Sequence, residues 1–154
     1  MINEPGIYIG IGMVLSLFLT ETLGVTAGGI IVPGYIAMNL DSPSRLIVTF
    51  GISIIVYLII KLLSNFILVY GKRRLVLALL LGFFLGYFTR SETNILSSFN
   101  QTDFIVIGNI IPGLIANWMD RQGVLRTVCT VLITAGVTKL FIMILNVYQI
   151  INIQ

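Results

Sequence analysis

Long apolar runs separated by short polar stretches make up almost the whole chain. The runs cover residues 5–20, 23–40, 46–70, 75–88, 104–118 and 128–148, and the polar stretches between them include 41–45, 71–74, 90–103 and 120–126. The run 46–70 is about 25 residues long, which is enough to cross a bilayer with some tilt. The run 75–88 is shorter, but basic side chains beside it can reach outward to the interface. The pattern predicts an all-α membrane protein with about six transmembrane segments.

Two of these runs contain a Pro-Gly pair at the same place. The pairs are Pro33-Gly34 in Gly-Gly-Ile-Ile-Val-Pro-Gly-Tyr-Ile-Ala and Pro112-Gly113 in Gly-Asn-Ile-Ile-Pro-Gly-Leu-Ile-Ala. Proline removes a backbone donor, so it is expected to break a helix. Non-helical backbone inside a membrane is tolerated only where protein or water satisfies its polar groups. Broken helices at matching places in two halves therefore predict a functional site at the breaks.

The two halves of the chain align as a repeat. An offset of 79 residues brings together Gly29 with Gly108, Pro33 with Pro112, Ala37 with Ala116, Asp41 with Asp120 and Leu46 with Leu125. Upstream, the pair Gly6 and Gly10 is interpreted as the counterpart of Gly82 and Gly86, a spacing that lets helices approach closely. We predict one integral membrane domain over residues 1–154, with repeat 1 at about 5–70 and repeat 2 at about 75–148.

The distribution of basic residues favours six crossings over four. With six crossings and the N-terminus outside, the cytoplasmic side holds Lys72, Arg73, Arg74, Arg121 and Arg126, and the outer side only Arg45 and Arg90. With re-entrant broken segments and four crossings, this bias disappears. Three segments per repeat is an odd number, so the sequence predicts two inverted three-segment repeats, each with a Pro-Gly-broken helix.

Composition supports the membrane assignment and narrows the chemistry. The chain is 57% hydrophobic and 10% charged, with mean hydropathy +1.05, which is too apolar for a soluble domain of 154 residues. A net charge of +3 does not suggest a nucleic-acid partner. Histidine is absent, Cys129 is the single cysteine, and no nucleotide-binding, metal-binding or nucleophile motif occurs. We predict no catalytic residue, no metal site and no bound cofactor in this chain.

Lys61 and Lys139 are charged residues predicted near the middle of the third and sixth segments. A charge at that depth costs several kcal/mol and normally faces a partner or a wet cavity. Hydroxyl and other polar residues recur beside them at helical spacing, namely Ser53, Tyr57 and Ser64, and Thr127, Thr130, Thr134 and Thr138. One interpretation is that both sets line a hydrophilic seam between the halves. The other is that the hydroxyls bond to their own helix and each lysine pairs with a carboxylate such as Glu21.

The remaining charged residues lie at segment ends. Glu21 is either an interfacial charge or the partner of Lys61, Lys139 or a basic group on another protein. Asp41 and Asp120 are interpreted as turn or capping residues. The cluster Lys72, Arg73 and Arg74 is typical of a topology determinant, and with Arg121 and Arg126 it is also a candidate docking surface for a cytoplasmic partner.

Three separated motifs resemble one known family. These are the run from Glu21 to Ala37 that holds the first Pro-Gly pair, the basic turn Tyr70 to Arg74, and the run from Ile111 to Asn117. In order and position they resemble the PgsC/CapC family, the small membrane proteins of bacterial poly-γ-glutamate (capsule) synthase, over nearly the whole chain. Thr22 stands where some relatives are expected to carry lysine, which weakens any essential charge pair at Glu21.

The resemblance implies a function in a complex. Members of that family are expected in the bacterial plasma membrane as multi-pass proteins. They work with a cytoplasmic ligase subunit that uses ATP and Mg²⁺ to join glutamates, and with a membrane-anchored subunit associated with polymer export. The product carries one free carboxylate per residue, so an anionic polymer must pass the bilayer. We therefore expect a non-catalytic accessory subunit whose polymer path involves Pro33, Gly34, Pro112, Gly113, Lys61, Lys139 and Tyr57. A stand-alone transporter of a small anion and a purely structural scaffold are the alternatives.

Overall fold

The computed structural model describes residues 5–64, 71–93 and 107–152, and all six regular elements within them are α-helices. The helices are α1 (Pro5–Leu23), α2 (Val32–Met38), α3 (Pro43–Leu63), α4 (Lys72–Thr93), α5 (Ile111–Gln122) and α6 (Val124–Asn152). Within α1, α3 and α6, the ranges Pro5–Thr22, Pro43–Leu63 and Val124–Tyr148 are long and apolar enough to cross a membrane. The predicted all-helical class is confirmed for the described residues.

Several segment boundaries differ from those predicted. Helix α4 begins at Lys72, so the basic cluster forms its first turn instead of a separate turn. The polar turn predicted over 120–126 is wrong, because only Gly123, with φ 94°, separates α5 from α6. Helix α3 ends at Leu63, and residues 65–70 of the predicted third segment lie outside the described residues, as do 94–106. Helix α4 also continues to Thr93, into the predicted loop 90–103.

The two Pro-Gly pairs begin helices instead of interrupting them. Helices α2 and α5 start with nearly the same geometry, with φ −88° and ψ −28° at Ile31 and φ −92° and ψ −26° at Ile110. The proline follows at the second helical position, where its missing N–H has no intrahelical partner to lose. The chain is non-helical just before each start, over 24–31 and 107–110, and Gly29 and its repeat counterpart Gly108 have positive φ values of 120° and 62°. Each break therefore lies on the N-terminal side of its proline.

A backbone contact at paired glycines packs each short helix against the long helix that precedes it. A Cβ atom on Gly12 of α1 would lie 2.7 Å from the Cα of Gly34 in α2, and one on Gly82 of α4 would lie 2.8 Å from the Cα of Gly113 in α5. Gly12 and Gly82 are therefore the equivalent positions, 70 residues apart. The predicted match of Gly6 and Gly10 with Gly82 and Gly86 is wrong, because a Cβ on Gly6 or Gly10 would meet nothing within 4 Å.

Each short helix also packs against the last helix of the other half. Helix α2 contacts α1 and α6, and α5 contacts α4 and α3. The remaining long helices pair in the same crossed manner, α1 with α6 and α4 with α3. Exchanging α1, α2 and α3 with α4, α5 and α6 therefore reproduces this set of contacts. The main core lies where α2, α5 and α6 meet, and its largest fully buried side chains are Ile36, Ile115, Met119 and Val131.

Contacts at two depths in the bundle give the relative directions of α5 and α6. Near the end of α5, the Gln122 side chain bonds to Thr26 and to Thr127 in α6. Further into the bundle, Gly28 lies against Ile115 of α5 and Val131 of α6. From the first depth to the second, the residue number decreases along α5, from Gln122 to Ile115, and increases along α6, from Thr127 to Val131. The two helices are therefore antiparallel.

Candidate functional site

The non-helical segments that precede α2 and α5 meet at a pocket. The pocket has a volume of about 240 Å³ and is lined by Ile31 and Tyr35 from the first half and by Gly108 to Ile111 and Leu114 from the second. Ile31 and Ile110, the residues from which the two short helices start, are both about half exposed. The lining is mainly apolar, and neither Lys61 nor Lys139 belongs to it.

The interface between the halves is packed with apolar side chains over the described residues. Val32, Ile36 and Ala37 of α2 share one buried cluster with Ile111, Ile115 and Met119 of α5 and Val131 and Ala135 of α6. Five of these, Val32, Ile36, Ile115, Val131 and Ala135, have no solvent exposure. The hydrophilic seam expected from the sequence is therefore not open in this conformation.

The four residues of the Pro-Gly pairs are buried, but they do not line the pocket. A Cβ on Gly34 would lie 2.7 Å from the Cα of Ile9, and a Cβ on Gly113 would lie 2.9 Å from the Cα of Leu79. These glycines allow the short helices to contact the backbones of α1 and α4. Their visible role is close helix packing.

The hydroxyl groups of the two polar sets donate to their own helices. Ser53 donates to the carbonyl of Thr49, Thr134 to that of Thr130, and Thr138 to that of Thr134, each at 2.7 Å. Thr49 also joins two halves, because its hydroxyl oxygen accepts a 3.0 Å hydrogen bond from the backbone N–H of Ile107. This arrangement agrees with the second interpretation, in which each hydroxyl bonds to a backbone carbonyl of its own helix.

Lys139 forms a short ion pair with Asp41 across the two halves. The lysine side chain is 18% exposed and the aspartate side chain 83% exposed. Asp41 lies in the turn that follows α2, as the sequence predicted, so the pair is found where the first half turns from α2 into α3. The alternative that Lys139 pairs with a carboxylate is correct, but the carboxylate is Asp41 and not Glu21.

Lys61 has a different environment from Lys139, although the two residues are only one position away from equivalent places in the repeat, since they are 78 residues apart and the offset is 79. It lies in the last turn of α3, not in the middle of the helix, and its side chain is exposed. Its ammonium group donates a 3.4 Å hydrogen bond to the hydroxyl of Tyr57 and lies 5.6 Å from the centre of that ring. The structure does not bring Lys61 and Lys139 together.

Cations gather where α3 ends, α4 begins and α5 passes into α6. Arg74 of α4 is ion-paired with Asp120 of α5, and both side chains are about one-fifth exposed. Ile60, Ala78 and Ala116 form one buried cluster beside them, which brings the end of α3 to the same place. We call this region the basic end. Its cations are Lys61, Lys72, Arg73, Arg74, Arg121 and Arg126.

Two polar atoms at the basic end are buried without a hydrogen-bond partner in the described part of the chain. They are Nε of Arg74 and Oδ1 of Asn117. Asn117 precedes Asp120 by one helical turn on α5, so both atoms belong to the surroundings of the Arg74–Asp120 pair. Nearby, the guanidinium of Arg121 lies 5.3 Å from the ring centre of Trp118. Asp120 is thus a paired helix residue and not a turn residue.

Gln122 connects three segments at the basic end, and the sequence analysis missed it. Its amide nitrogen donates to the carbonyl of Thr26 at 2.6 Å and to the hydroxyl of Thr127 at 3.1 Å. Its amide oxygen accepts from both the backbone N–H and the hydroxyl of Thr26 at 3.2 Å. A single glutamine in a polar stretch carries no pattern that points to a partner 96 residues away. The contact fixes the non-helical segment before α2 to the end of α5.

Glu21 is exposed near the end of α1 and makes no ion pair with the described residues. The same part of the chain contains no group of three or more acidic or cysteine side chains arranged to hold a metal ion. The described side chains supply cation-rich and apolar surfaces.

Comparison with known proteins gives a consistent family. A family model described as Capsule biosynthesis CapC matches residues 11–128. The chain is 35% identical to the Bacillus anthracis protein named Capsule biosynthesis protein CapC, over 90% of this chain and 91% of that one. It is 33% identical to the Bacillus subtilis (strain 168) protein named PGA biosynthesis protein CapC, over 83% of this chain and 86% of that one. No solved structure matches.

Proposed function

Since this chain belongs to the capsule biosynthesis CapC family, we propose that it is the membrane subunit of a poly-γ-glutamate synthase. It supports ATP-dependent polymerisation of glutamate by a partner ligase and the passage of the anionic polymer across the bacterial plasma membrane. The observation that carries the proposal is similarity over nine-tenths of the chain to a capsule biosynthesis protein.

We propose that the chain crosses the membrane six times as two inverted repeats. The crossed contacts of the halves support a two-fold relation, since α2 packs on α6 as α5 packs on α3. The direction of the halves is supported by three contacts. Helix α5 is antiparallel to α6. The segment from Gly28 to Asp41, which contains α2, runs parallel to α6, because Gly28 lies beside Val131 and Asp41 beside Lys139. Helices α2 and α5 then run in opposite directions, as inverted repeats require.

The basic end is the proposed cytoplasmic surface and the docking site of the ligase subunit. Basic residues concentrate on the cytoplasmic side of membrane proteins, and this end holds Lys72, Arg73, Arg121 and Arg126 as exposed cations. A ligase that binds here supplies the ATP and Mg²⁺ chemistry for which this chain has no motif. The exposed cations attract an acidic surface of the partner and hold newly made polymer near the membrane.

The two lysines have separate roles in the proposed polymer path. Lys61 and Tyr57 lie at the basic end, where the polymer enters, and Lys139 lies with Asp41 toward the other end of the bundle. The pocket between the non-helical segments and the Pro-Gly pairs behind it form the part of the seam that has to widen for passage. The packed core also favours a second candidate, a scaffold that organises the ligase without conducting the polymer.

The proposal is tested by reconstitution. The chain is purified from membranes with its neighbouring subunits, and synthesis is measured with ATP, Mg²⁺ and glutamate, with and without this chain. We expect polymer synthesis to depend on its presence and to fall when Lys72, Arg73 and Arg121 are replaced by glutamine. Full synthesis without this chain would contradict the proposal. Uptake of a small anion by vesicles containing this chain alone would instead identify a stand-alone transporter.

Passage is measured separately from synthesis. In cells that hold equal amounts of protein, Lys61→Met and Lys139→Met together should lower secreted polymer while cell-associated synthesis continues. Undiminished secretion by this double variant would remove the lysines from the path. Cysteines introduced at Ser53 and Thr134 should react with aqueous reagents if the seam opens, and should stay unreactive during synthesis if the chain is only a scaffold.

A further inference from the structure

Two opposite charges on the outside of the bundle lack an ion-pair partner among the described residues. Glu21 is exposed near the end of α1, and Lys61 is exposed in the last turn of α3, where it contacts only Tyr57. Lys139, whose side chain is 18% exposed, is already paired with Asp41 within the chain, and the exposed Lys72 lies in the first turn of α4 with the other cations of the basic end. An unpaired charge at the edge of an apolar surface is costly to hold near lipid, so each favours a partner of opposite sign.

Each of these charges ends an apolar surface with the same helical spacing. On α1, Val14, Leu17 and Phe18 are 50–67% exposed and lie on the face that carries Glu21. On α3, Ile54, Leu58 and Leu62 are 37–64% exposed and lie on the face that carries Lys61. Phe18 precedes Glu21 by three residues, and Leu58 precedes Lys61 by three residues. On both faces the charge lies seven residues after the first of these apolar residues, Val14 or Ile54, and the two charges differ in sign.

Both charges lie toward the basic end. They can therefore meet between neighbouring molecules that have the same orientation in the membrane. Helix α1 ends at Leu23, three residues before Thr26, and Gln122 of the basic end holds Thr26. Helix α3 ends beside Arg74 and Asp120 through the cluster of Ile60, Ala78 and Ala116. Two copies inserted in one membrane in the same direction therefore bring these ends to similar depth.

We propose that the protein forms a head-to-tail oligomer in which the outer face of α1 in one copy packs on the outer face of α3 in the next. Glu21 of one copy pairs with Lys61 of its neighbour, and the Val14–Phe18 and Ile54–Leu62 surfaces pack beneath the pair. The contact uses two different surfaces of the molecule, so it is heterologous, and repeating it gives a ring or a chain of copies. The proposal does not depend on the function proposed above.

The second half offers a control pair of exposed apolar positions on α4 and α6. Lys139, the counterpart of Lys61 on α6, is held by Asp41 inside the chain. Leu80 and Ile133 lie eight and nine residues from the starts of α4 and α6, so they are at similar depth. They are 59% and 61% exposed, comparable with Phe18 and Leu58, which are 64% and 51% exposed. A contact driven only by apolar surface predicts similar cross-linking at both pairs of positions. A contact directed by Glu21 and Lys61 predicts cross-linking at Phe18 and Leu58 only.

The experiment uses the full chain in native membranes with Cys129→Ser as background, because Cys129 is exposed. Two differently tagged copies are produced together, one with Phe18→Cys and the other with Leu58→Cys, and the membranes are oxidised. We expect a disulfide-linked dimer that carries both tags, at least several-fold more abundant than the dimers formed by either variant alone. The control pair Leu80→Cys and Ile133→Cys should stay at background.

Charge variants in the same background test the ion pair. Glu21→Lys alone and Lys61→Glu alone should each reduce the mixed dimer several-fold, and the two changes together in every copy should restore it, since each contact then holds a reversed pair. Restoration also demonstrates that neither charge reversal prevents the chain that carries both from folding. A mixed dimer no more abundant than the control pair, or one that the charge variants leave unchanged, would overturn the proposal. In that outcome lipid covers both faces and Lys61 binds headgroup phosphate.

Discussion

Replacing Gly12 by alanine tests the helix packing that shapes both halves. In α1, Gly12 meets the backbone of Gly34, and an added Cβ would lie 2.7 Å from both the Cα and the nitrogen of Gly34. These are backbone atoms, so no side-chain rotation relieves the clash, and α1 and α2 have to move apart. The matched control is Gly10→Ala, two residues earlier in α1, where the added Cβ meets nothing within 4 Å.

The two variants allow the packing cost to be separated from helix propensity. Alanine in place of a helical glycine favours folding by up to about 1 kcal/mol, and this gain is similar at both positions. Forcing an extra carbon into a packed contact costs about 1–3 kcal/mol. We therefore expect Gly12→Ala to be less stable than Gly10→Ala by about 1–3 kcal/mol, and Gly82→Ala, which meets the Cα of Gly113 at 2.8 Å, to behave like Gly12→Ala.

The free energy of unfolding can be measured by detergent titration in mixed micelles. Trp118 is the single tryptophan and lies 3.8 Å from the position of a Cβ on Gly29, so its fluorescence reports the packing of α5 on the segment before α2. If Gly12→Ala unfolds at the same detergent fraction as Gly10→Ala, the close contact between α1 and α2 does not exist in the folded protein.

Three further predictions concern polar groups at the ends of the bundle, each measured by the same titration. Asp120→Asn should lower the free energy of unfolding by about 1–3 kcal/mol, because the carboxylate is largely buried against Arg74. Asp41→Asn should lower it by less than about 1 kcal/mol, because that side chain is 83% exposed. Equal losses would contradict the assigned burial. Gln122→Glu removes the donor to the Thr26 carbonyl and should cost about 1–3 kcal/mol, and a neutral result would mean that the contact is not formed. Asn117→Leu removes a buried oxygen without a partner in the described part of the chain, so stability should change by less than about 1 kcal/mol or increase, and a loss well above this would reveal a partner for the oxygen.

The apolar pattern predicted the helical class because helix formation depends on residues close in sequence. Runs of apolar residues specify where helices lie, and the 79-residue offset correctly paired Gly34 with Gly113, which make equivalent contacts. The offset failed upstream, where the pattern matched Gly6 to Gly82. Glycine is frequent in membrane helices, so spacing alone does not distinguish a glycine in a helix contact from one with open space around it.

Long-range charge pairing could not be predicted from the sequence. Lys61 and Lys139 have nearly the same place in the repeat, one position apart, yet Asp41 pairs with Lys139 whereas its counterpart Asp120 pairs with Arg74. The difference follows from the first turn of α4, which brings Arg74 to Asp120 and has no basic equivalent in the described part of α1. A repeat in sequence therefore predicts equivalent backbone positions, but the neighbours supplied by other helices decide which charges pair.

The packed core and the position of Lys61 together constrain the proposed route of the polymer. An anionic chain with one carboxylate per residue needs hydrated surroundings or cations along its path, and the interface between the halves is closed by apolar side chains over the described residues. Lys61 is exposed at the basic end, so in the proposed path it meets the polymer at the outer surface of this chain, where the proposed oligomer also places a neighbouring copy. Lys61→Met should therefore lower both secretion and the Phe18–Leu58 cross-link. Lys139→Met removes an ammonium group held inside one chain by Asp41, so it should leave that cross-link unchanged. If both variants affect the cross-link equally, the lysines act through the fold of the bundle, and the proposed contact between α1 and α3 of neighbouring copies loses its support.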